Sequence, residues 1–215
     1  MHTIFKLVPL TAAIALAACG GGGDKAADAA CGQLEANQIC VKIGSGAPKT
    51  GGIAHLGKDN ENGAQLAVNE INAAGGVKIG DKVAKFALVG EDDAGDPKQG
   101  PVVAQKLGDA KVVGVVGHLN SGVSIPANAV YAKAGLVQIS PSSTNPDYTI
   151  KGNKTPKGSV SSYRVVATDA QQGPALGKYM LGKNAKTVAV LDDATQYGKG
   201  LADQVAKTME GAGAK

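Results

Sequence analysis

The sequence contains no tryptophan and two phenylalanines, and aromatic side chains make up only 3% of it. A chain this poor in flat rings lacks the platforms on which nucleic-acid bases stack. Its formal charge of +4 comes from lysines scattered among acidic residues. No basic helix or run gathers that charge on one face, so nucleic acid is excluded as a partner. Long apolar runs are also missing: the run at residues 7–18 falls short of the ~20 residues a bilayer span needs. It is followed by Gly20 to Gly23 and Asp24 rather than by a basic stop-transfer cluster.

Motifs for catalysis and metal binding are incomplete. Gly44-Ser45-Gly46 begins a dinucleotide loop but does not complete G-x-G-x-x-G. Asn120-Ser121-Gly122 lacks the first glycine of a nucleophile elbow, and beyond the N-terminal segment only His55 and His118 could serve as a base. The cysteines show no C-x-x-C spacing. Glu91, Asp92, Asp93 and Asp96 cluster at a strand end, where helix N–H groups stabilise carboxylates without any cation; Asp192 and Asp193 read the same way. These absences describe a non-enzyme with neither metal nor cofactor.

What is present begins with a compartment signal. His2 and Lys6 form a basic start, and the apolar run ends in Leu16-Ala17-Ala18-Cys19, a signal peptide of the lipoprotein kind covering 1–18, with Cys19 as the lipidated residue. Residues 19–38 then read as a flexible tether. With Cys19 lipidated, Cys31 and Cys40 remain as an even pair, which an oxidising compartment joins. Closing so short a loop contributes roughly 2–3 kcal/mol; the alternative is two free thiols.

From residue 39 the chain alternates short Val/Ile/Leu-rich runs (39–43, 86–89, 112–116, 136–139 and 188–191) with longer segments of helical periodicity. The clearest helix spans about 60–74, where Ala64, Ala67, Val68 and Ile71 form one apolar stripe ending at Gly75-Gly76. Others are expected at about 97–107, 121–134, 170–182 and 198–209. Strands apolar on both faces need helices on both faces, so the alternation predicts a doubly wound parallel α/β sheet. Residues 39–162 form one lobe. An irregular stretch at 147–162 leads to a crossover strand near 163–167, and 163–215 begins a second lobe. That remainder is too small to close a sheet; either the second lobe is cut short at Lys215 or its elements pack on the first.

Ligands of open parallel sheets bind at the carboxyl ends of the strands, and two loops there are polar. One reads Gly117-His118-Leu119-Asn120-Ser121-Gly122, the other Ser140-Pro141-Ser142-Ser143-Thr144-Asn145-Pro146. Ser121 stands at a helix start, where free N–H groups favour a carboxylate. Ser142, Ser143 and Thr144 offer hydroxyls and carbonyls to an ammonium group, so the two loops suit a zwitterion. The alternative is that Ser121 and Ser124 are plain N-caps and 142–144 a plain turn.

The segments GHLNSGVSIPA, ISPSSTNP, EDDAGDPKQ, NGAQLAVNEINAAGGV and DDATQYGKGLADQV resemble, in order and separation, the signatures of the branched-chain (Leu/Ile/Val) amino-acid binding-protein family of type I periplasmic binding proteins. The resemblance implies two α/β lobes closing on an amino acid, as the substrate-binding component of an inner-membrane ABC permease. A ligand-sensing receptor domain of the same fold is the second reading, and a structural surface lipoprotein the third. Carried over by position, the hydroxyl and N–H of Ser121 and the N–H of Thr144 would hold the ligand carboxylate. The Ser142 carbonyl and Thr144 hydroxyl would take its ammonium group. Leu119, Asn120 and Ser143 would line the side-chain pocket, and Tyr197 would approach it from the second lobe. Well-characterised members have an aromatic residue where this chain has Leu56 and alanines at Ser142 and Ser143, so the pocket here is expected to be wider or more polar. The cysteines some members place at Gly95 and Asn120 are both absent, and the family's acidic ammonium ligand falls beyond Lys215.

Overall fold

The computed structural model describes residues 29–215. The predicted signal peptide and the lipidation site Cys19 lie outside the described residues. The order begins with a single 3-10 turn, Ala29–Cys31. A disulfide joins Cys31 to Cys40 with their Cα atoms 5.6 Å apart, tying this turn to β1 (Gln38–Ala47).

β1 lies inside a six-stranded sheet of order β2-β3-β1-β4-β5-β6. The other strands are β2 (Val77–Ile79), β3 (Lys82–Asp92), β4 (Gly114–Gly117), β5 (Val137–Ser140) and β6 (Ser162–Arg164). All neighbours are parallel except the β2/β3 hairpin. Between the strands run α1 (Ala54–Ala73), α2 (Gln99–Asp109) and α3 (Ser121–Lys133). The chain moves one way through α1 and the other way through α2 and α3. Right-handed crossovers place helices of opposite sense on opposite faces; accordingly α2 packs on α3, while α1 packs on β1 and β3. The doubly wound α/β expectation matches this arrangement. Val103 and Leu107 of α2, Val115 of β4, and Ala127 and Tyr131 of α3 form the main core.

α1 departs from its predicted stripe. Val68 is buried, but Ile71 is 38% exposed, because the last turn meets the sheet through a polar side chain instead. Asn72 donates to the Phe86 carbonyl (2.7 Å) and accepts from the Phe86 N–H (2.8 Å). Its amide continues the ladder beside β3 where β2 no longer reaches, since β2 pairs only as far as Ala84. The helix ends as expected at Gly75 and Gly76, both with positive φ. A side chain at Gly76 would strike the Ala84 carbonyl.

Two further expectations change. Residues 147–162 are not wholly irregular: they contain α4 (Asp147–Ile150) and a bridge between Lys154 and Val160. Residues 188–191, predicted as a strand, form none. A strand needs a ladder partner, and here the Val188 N–H finds only the Lys215 carbonyl (2.7 Å). The last two helices, α5 (Asp169–Gly182) and α6 (Gln196–Gly211), pack on each other. Gly173 and Gly177 permit the approach, since a Cβ at either would run into Gln204 or Thr208 of α6. No helix among the described residues is long and apolar enough to cross a membrane.

Candidate ligand-binding site

The sheet order makes β1 a switch point, with the chain leaving it toward β3 on one side and β4 on the other. Loops at the carboxyl ends of strands flanking such a point diverge and leave a crevice. The two polar loops of the sequence, after β4 and after β5, lie side by side at this end because their strands pair in parallel.

Three serine hydroxyls gather these loops around one carbonyl, with one proton of the Ser124/Ser143 pair spent between their own oxygens at 2.6 Å. Ser140, Ser124 and Ser143 Oγ reach the His118 carbonyl at 2.6, 3.2 and 3.3 Å. Ser140 Oγ also accepts the N–H of Ser143 at 2.9 Å. Arg164, the only arginine in the chain, supports the second loop from β6. Its guanidinium donates to the carbonyls of Ser143 (2.6 Å) and Asn145 (2.7 Å) and to the Thr149 hydroxyl (2.9 Å). It also lies over the Tyr148 ring at 5.4 Å. A planar fork presents donors on separate nitrogens at a fixed spacing to two carbonyls of one turn, a geometry an ammonium's single nitrogen does not reproduce.

Asn120 precedes α3 as its N-cap residue, and Ser121 is the first helical residue. Ser121 is therefore not itself the cap, and its hydroxyl accepts the Asn145 N–H at 3.2 Å. First-turn N–H groups have no helical acceptor, so the Ser121 end of α3 presents donors. A cavity of about 130 Å³ opens there, lined by Leu119, Asn120, Ser121, Ser142, Thr144 and Tyr197. It is smaller than the ~300–1,000 Å³ pockets of drug-sized ligands, which suits a small metabolite. Tyr197 enters from α6, and the start of that helix is held against the second loop by Asn145 Nδ2 donating to the Gln196 carbonyl (3.1 Å).

Six of the eight candidate residues thus share one cavity, and two do not. Ser143 is fully buried, its hydroxyl turned inward to Ser124 Oγ at 2.6 Å. Satisfying buried polar groups of both loops is its structural part, and it does not line the space. Leu56, in the first turn of α1, is 45% exposed and lies outside the cavity lining. One helical turn on, Asn60 donates to Ser142 Oγ (3.2 Å), and Ser142 Oγ donates to the Leu119 carbonyl (3.1 Å).

Asp169 belongs with these groups although its position in the sequence did not single it out. It starts α5, its N–H donates to the Thr144 carbonyl (3.0 Å), and its side chain is fully buried. Burial pushes its carboxyl above the ordinary range, while the neighbouring Thr144 hydroxyl and Arg164 charge pull it back. Arg164 is held below its ordinary value by the same burial, against the opposing influence of Tyr148 and Asp169. The legible clue was the lone arginine five residues before an aspartate. No group of His, Cys, Asp or Glu able to hold a metal occurs among the described residues.

Residues 40–215 match the periplasmic binding protein family. The chain belongs to that family. It is 41% identical to the Leu/Ile/Val-binding protein homolog 1 of Brucella abortus, over 99% of this chain and 50% of the relative. It is 40% identical to the leucine-, isoleucine-, valine-, threonine- and alanine-binding protein of Pseudomonas aeruginosa, over 81% of this chain and 44% of that protein. Among solved structures it is similar to the branched-chain amino acid transporter substrate binding protein of Streptococcus pneumoniae in complex with isoleucine. That match has a TM-score of 0.68 at 35% identity and covers 79% of this chain and 47% of the other. The chain spans about half the length of the curated relatives it matches. Members of the family are extracytoplasmic solute-binding proteins.

Proposed function

We propose that the full-length protein binds the zwitterion of a small aliphatic α-amino acid, of the Leu/Ile/Val type, between two lobes and delivers it to an ABC permease. The observation that carries this reading is one cavity bounded both by the donor end of α3 at Ser121 and by the acceptor-rich turn Ser142–Thr144. An α-amino acid is a short dipole, with carboxylate and ammonium on one carbon. In a water-excluding cleft, charge-assisted hydrogen bonds at both ends favour it over neutral solutes.

The Ser121 N–H and hydroxyl hold the carboxylate, with help from the Thr144 N–H. The Thr144 hydroxyl takes the ammonium group together with the Ser142 carbonyl. The Asp169 carboxyl, buried beside Thr144 with no hydrogen-bond partner of its own, makes that end of the site favourable to a cation. Leu119, Asn120 and Tyr197 bound the side-chain end, with Leu56 at the outer rim. Closure of a second lobe over this face adds the differential affinity that shifts the hinge. Delivery fits an exported chain held at the membrane through lipid on Cys19, in keeping with the family's location and with the Leu16-Ala17-Ala18-Cys19 segment.

A thermal-shift screen of the full-length protein over the standard amino acids tests the reading, since a ligand stabilises in proportion to its occupancy of the native state. Leucine, isoleucine or valine is expected to give the largest shift. Ser121→Ala is expected to weaken the best ligand roughly ten- to a hundredfold, as for the loss of a charge-assisted hydrogen bond. No shift with any amino acid, or full affinity in the Ser121→Ala protein, overturns the assignment.

A further inference from the structure

Next in sequence to Leu119, and outside the cavity lining, His118 belongs to a chain of three buried side chains. Asp93, His118 and Tyr131 are each fully buried. Asp93 Oδ2 lies 2.5 Å from His118 Nδ1, and His118 Nε2 lies 3.0 Å from Tyr131 Oη. Asp93 Oδ1 accepts the Gly95 N–H at 2.8 Å, so both carboxylate oxygens are occupied. The imidazole also stacks on the Tyr131 ring, centroids 5.9 Å apart. From the remaining side it is walled by Gly46 of β1, where any Cβ would collide with the ring.

The protons along this chain have a consistent order. With Nδ1–H donating to the Asp93 carboxyl, Nε2 is left as an acceptor. Burial, with the Asp93 charge as the next contribution, holds the Tyr131 phenol far above its ordinary value. It keeps its proton and donates to Nε2. The chain therefore begins in the turn after β3, passes through the turn after β4 and ends on the third turn of α3.

No atom of these side chains lines the cavity, yet the backbone of His118 does the fastening described above. Its carbonyl receives the serine hydroxyls that join the two loops, and the Ser121 donors follow three residues later. Resting on the proposed amino-acid site, we infer that Asp93, His118 and Tyr131 are positioning residues for the ligand's carboxylate. They lock the imidazole, the locked imidazole fixes the 118–121 turn, and the turn sets where the Ser121 donors stand relative to Thr144. Hydrogen-bond donors held a fraction of an ångström from their place lose much of their value, and a locked supporting shell prevents that.

A double-mutant cycle on the full-length protein, read by calorimetry with leucine, tests this. Tyr131→Phe keeps the ring and removes one hydroxyl. It is expected to weaken leucine about tenfold, the upper end for one buried hydrogen bond. In a Ser121→Ala background, where the positioned group is gone, the same change is expected to cost less than threefold. Loss of mere packing adds equally in both backgrounds, so equal factors, or no loss with Tyr131→Phe, overturn the inference while leaving the amino-acid site standing. Wild-type protein that binds no amino acid overturns both. Should Tyr131→Phe fail to fold, nitrogen NMR of His118 in the wild type decides. The imidazole signals are expected to shift on leucine addition because ring and turn move as one, and unchanged signals reject the coupling.

Discussion

Arg164→Lys keeps a positive charge at the root of the 143–145 turn and removes the fork that holds it. The guanidinium makes three bonds, to two carbonyls and one hydroxyl, at 2.6, 2.7 and 2.9 Å. A lysine ammonium donates from one nitrogen on a shorter side chain, so it is expected to keep about one of these bonds and leave about two unmade. Hydrogen bonds to charged groups contribute about 1.5–3 kcal/mol each, and water replaces part of that at a half-buried site. The expected cost is therefore roughly 2–4 kcal/mol, confined at first to the 143–149 turn. Hydrogen exchange of peptides covering residues 140–150 reads that local opening directly. Protection should fall by roughly 30- to 1,000-fold, at 1.4 kcal/mol per factor of ten. If Arg164→Lys retains wild-type protection while Arg164→Met loses it, charge alone holds the turn and the geometric argument is wrong.

Three other outcomes are expected. Asp169→Asn removes a buried, unpartnered carboxyl beside the proposed ammonium end, so calorimetry should show weaker binding of leucine but unchanged binding of the matching 2-hydroxy acid, which has no ammonium group; equal losses would refute the role. Desolvation pushes the Asp92 carboxyl up, but the Thr50 hydroxyl and the N–H groups of Lys49, Ala94 and Thr50 outweigh it and bring its pKa down to about 2. A depressed carboxylate stabilises the fold above its unfolded value of 3.8 and loses that contribution as pH falls through the folded one. Asp92→Asn should therefore cost about 1 kcal/mol near neutrality, after allowing for solvent screening, and only a small part of that near pH 2, by calorimetric melting at both. Replacing Cys31 and Cys40 together with serine should lower stability by roughly 2–3 kcal/mol, and adding reductant to the wild type should reproduce the effect.

The parallel order and the two polar loops were legible because they follow from local rules: apolar runs of strand length, glycine stops, and helix starts after strand ends. Ser121 at the head of α3 is such a case. What stayed hidden depends on partners distant in sequence. Ser143 has the same chemistry as Ser142, and only the fold shows one turned inward to Ser124 and the other facing the cavity. Residues 188–191 carry a strand's composition, but composition cannot supply the neighbour that a ladder requires. In the sequence His118 stands out only as a possible base, whereas its ring is engaged by two side chains, 25 and 13 residues away. Ile71 kept the helical period yet stayed exposed, because Asn72 took the contact with β3.

The Asn72 contact bears on how the chains behave when crowded. A bare strand margin invites pairing by any extended segment that drifts past, and natural sheets guard against it. Here the main-chain groups of Phe86 are already engaged by a carboxamide anchored in a helix. A visiting strand would have to evict it before the first rung could form. That guard discourages self-association at a position where the short β2 provides no cover.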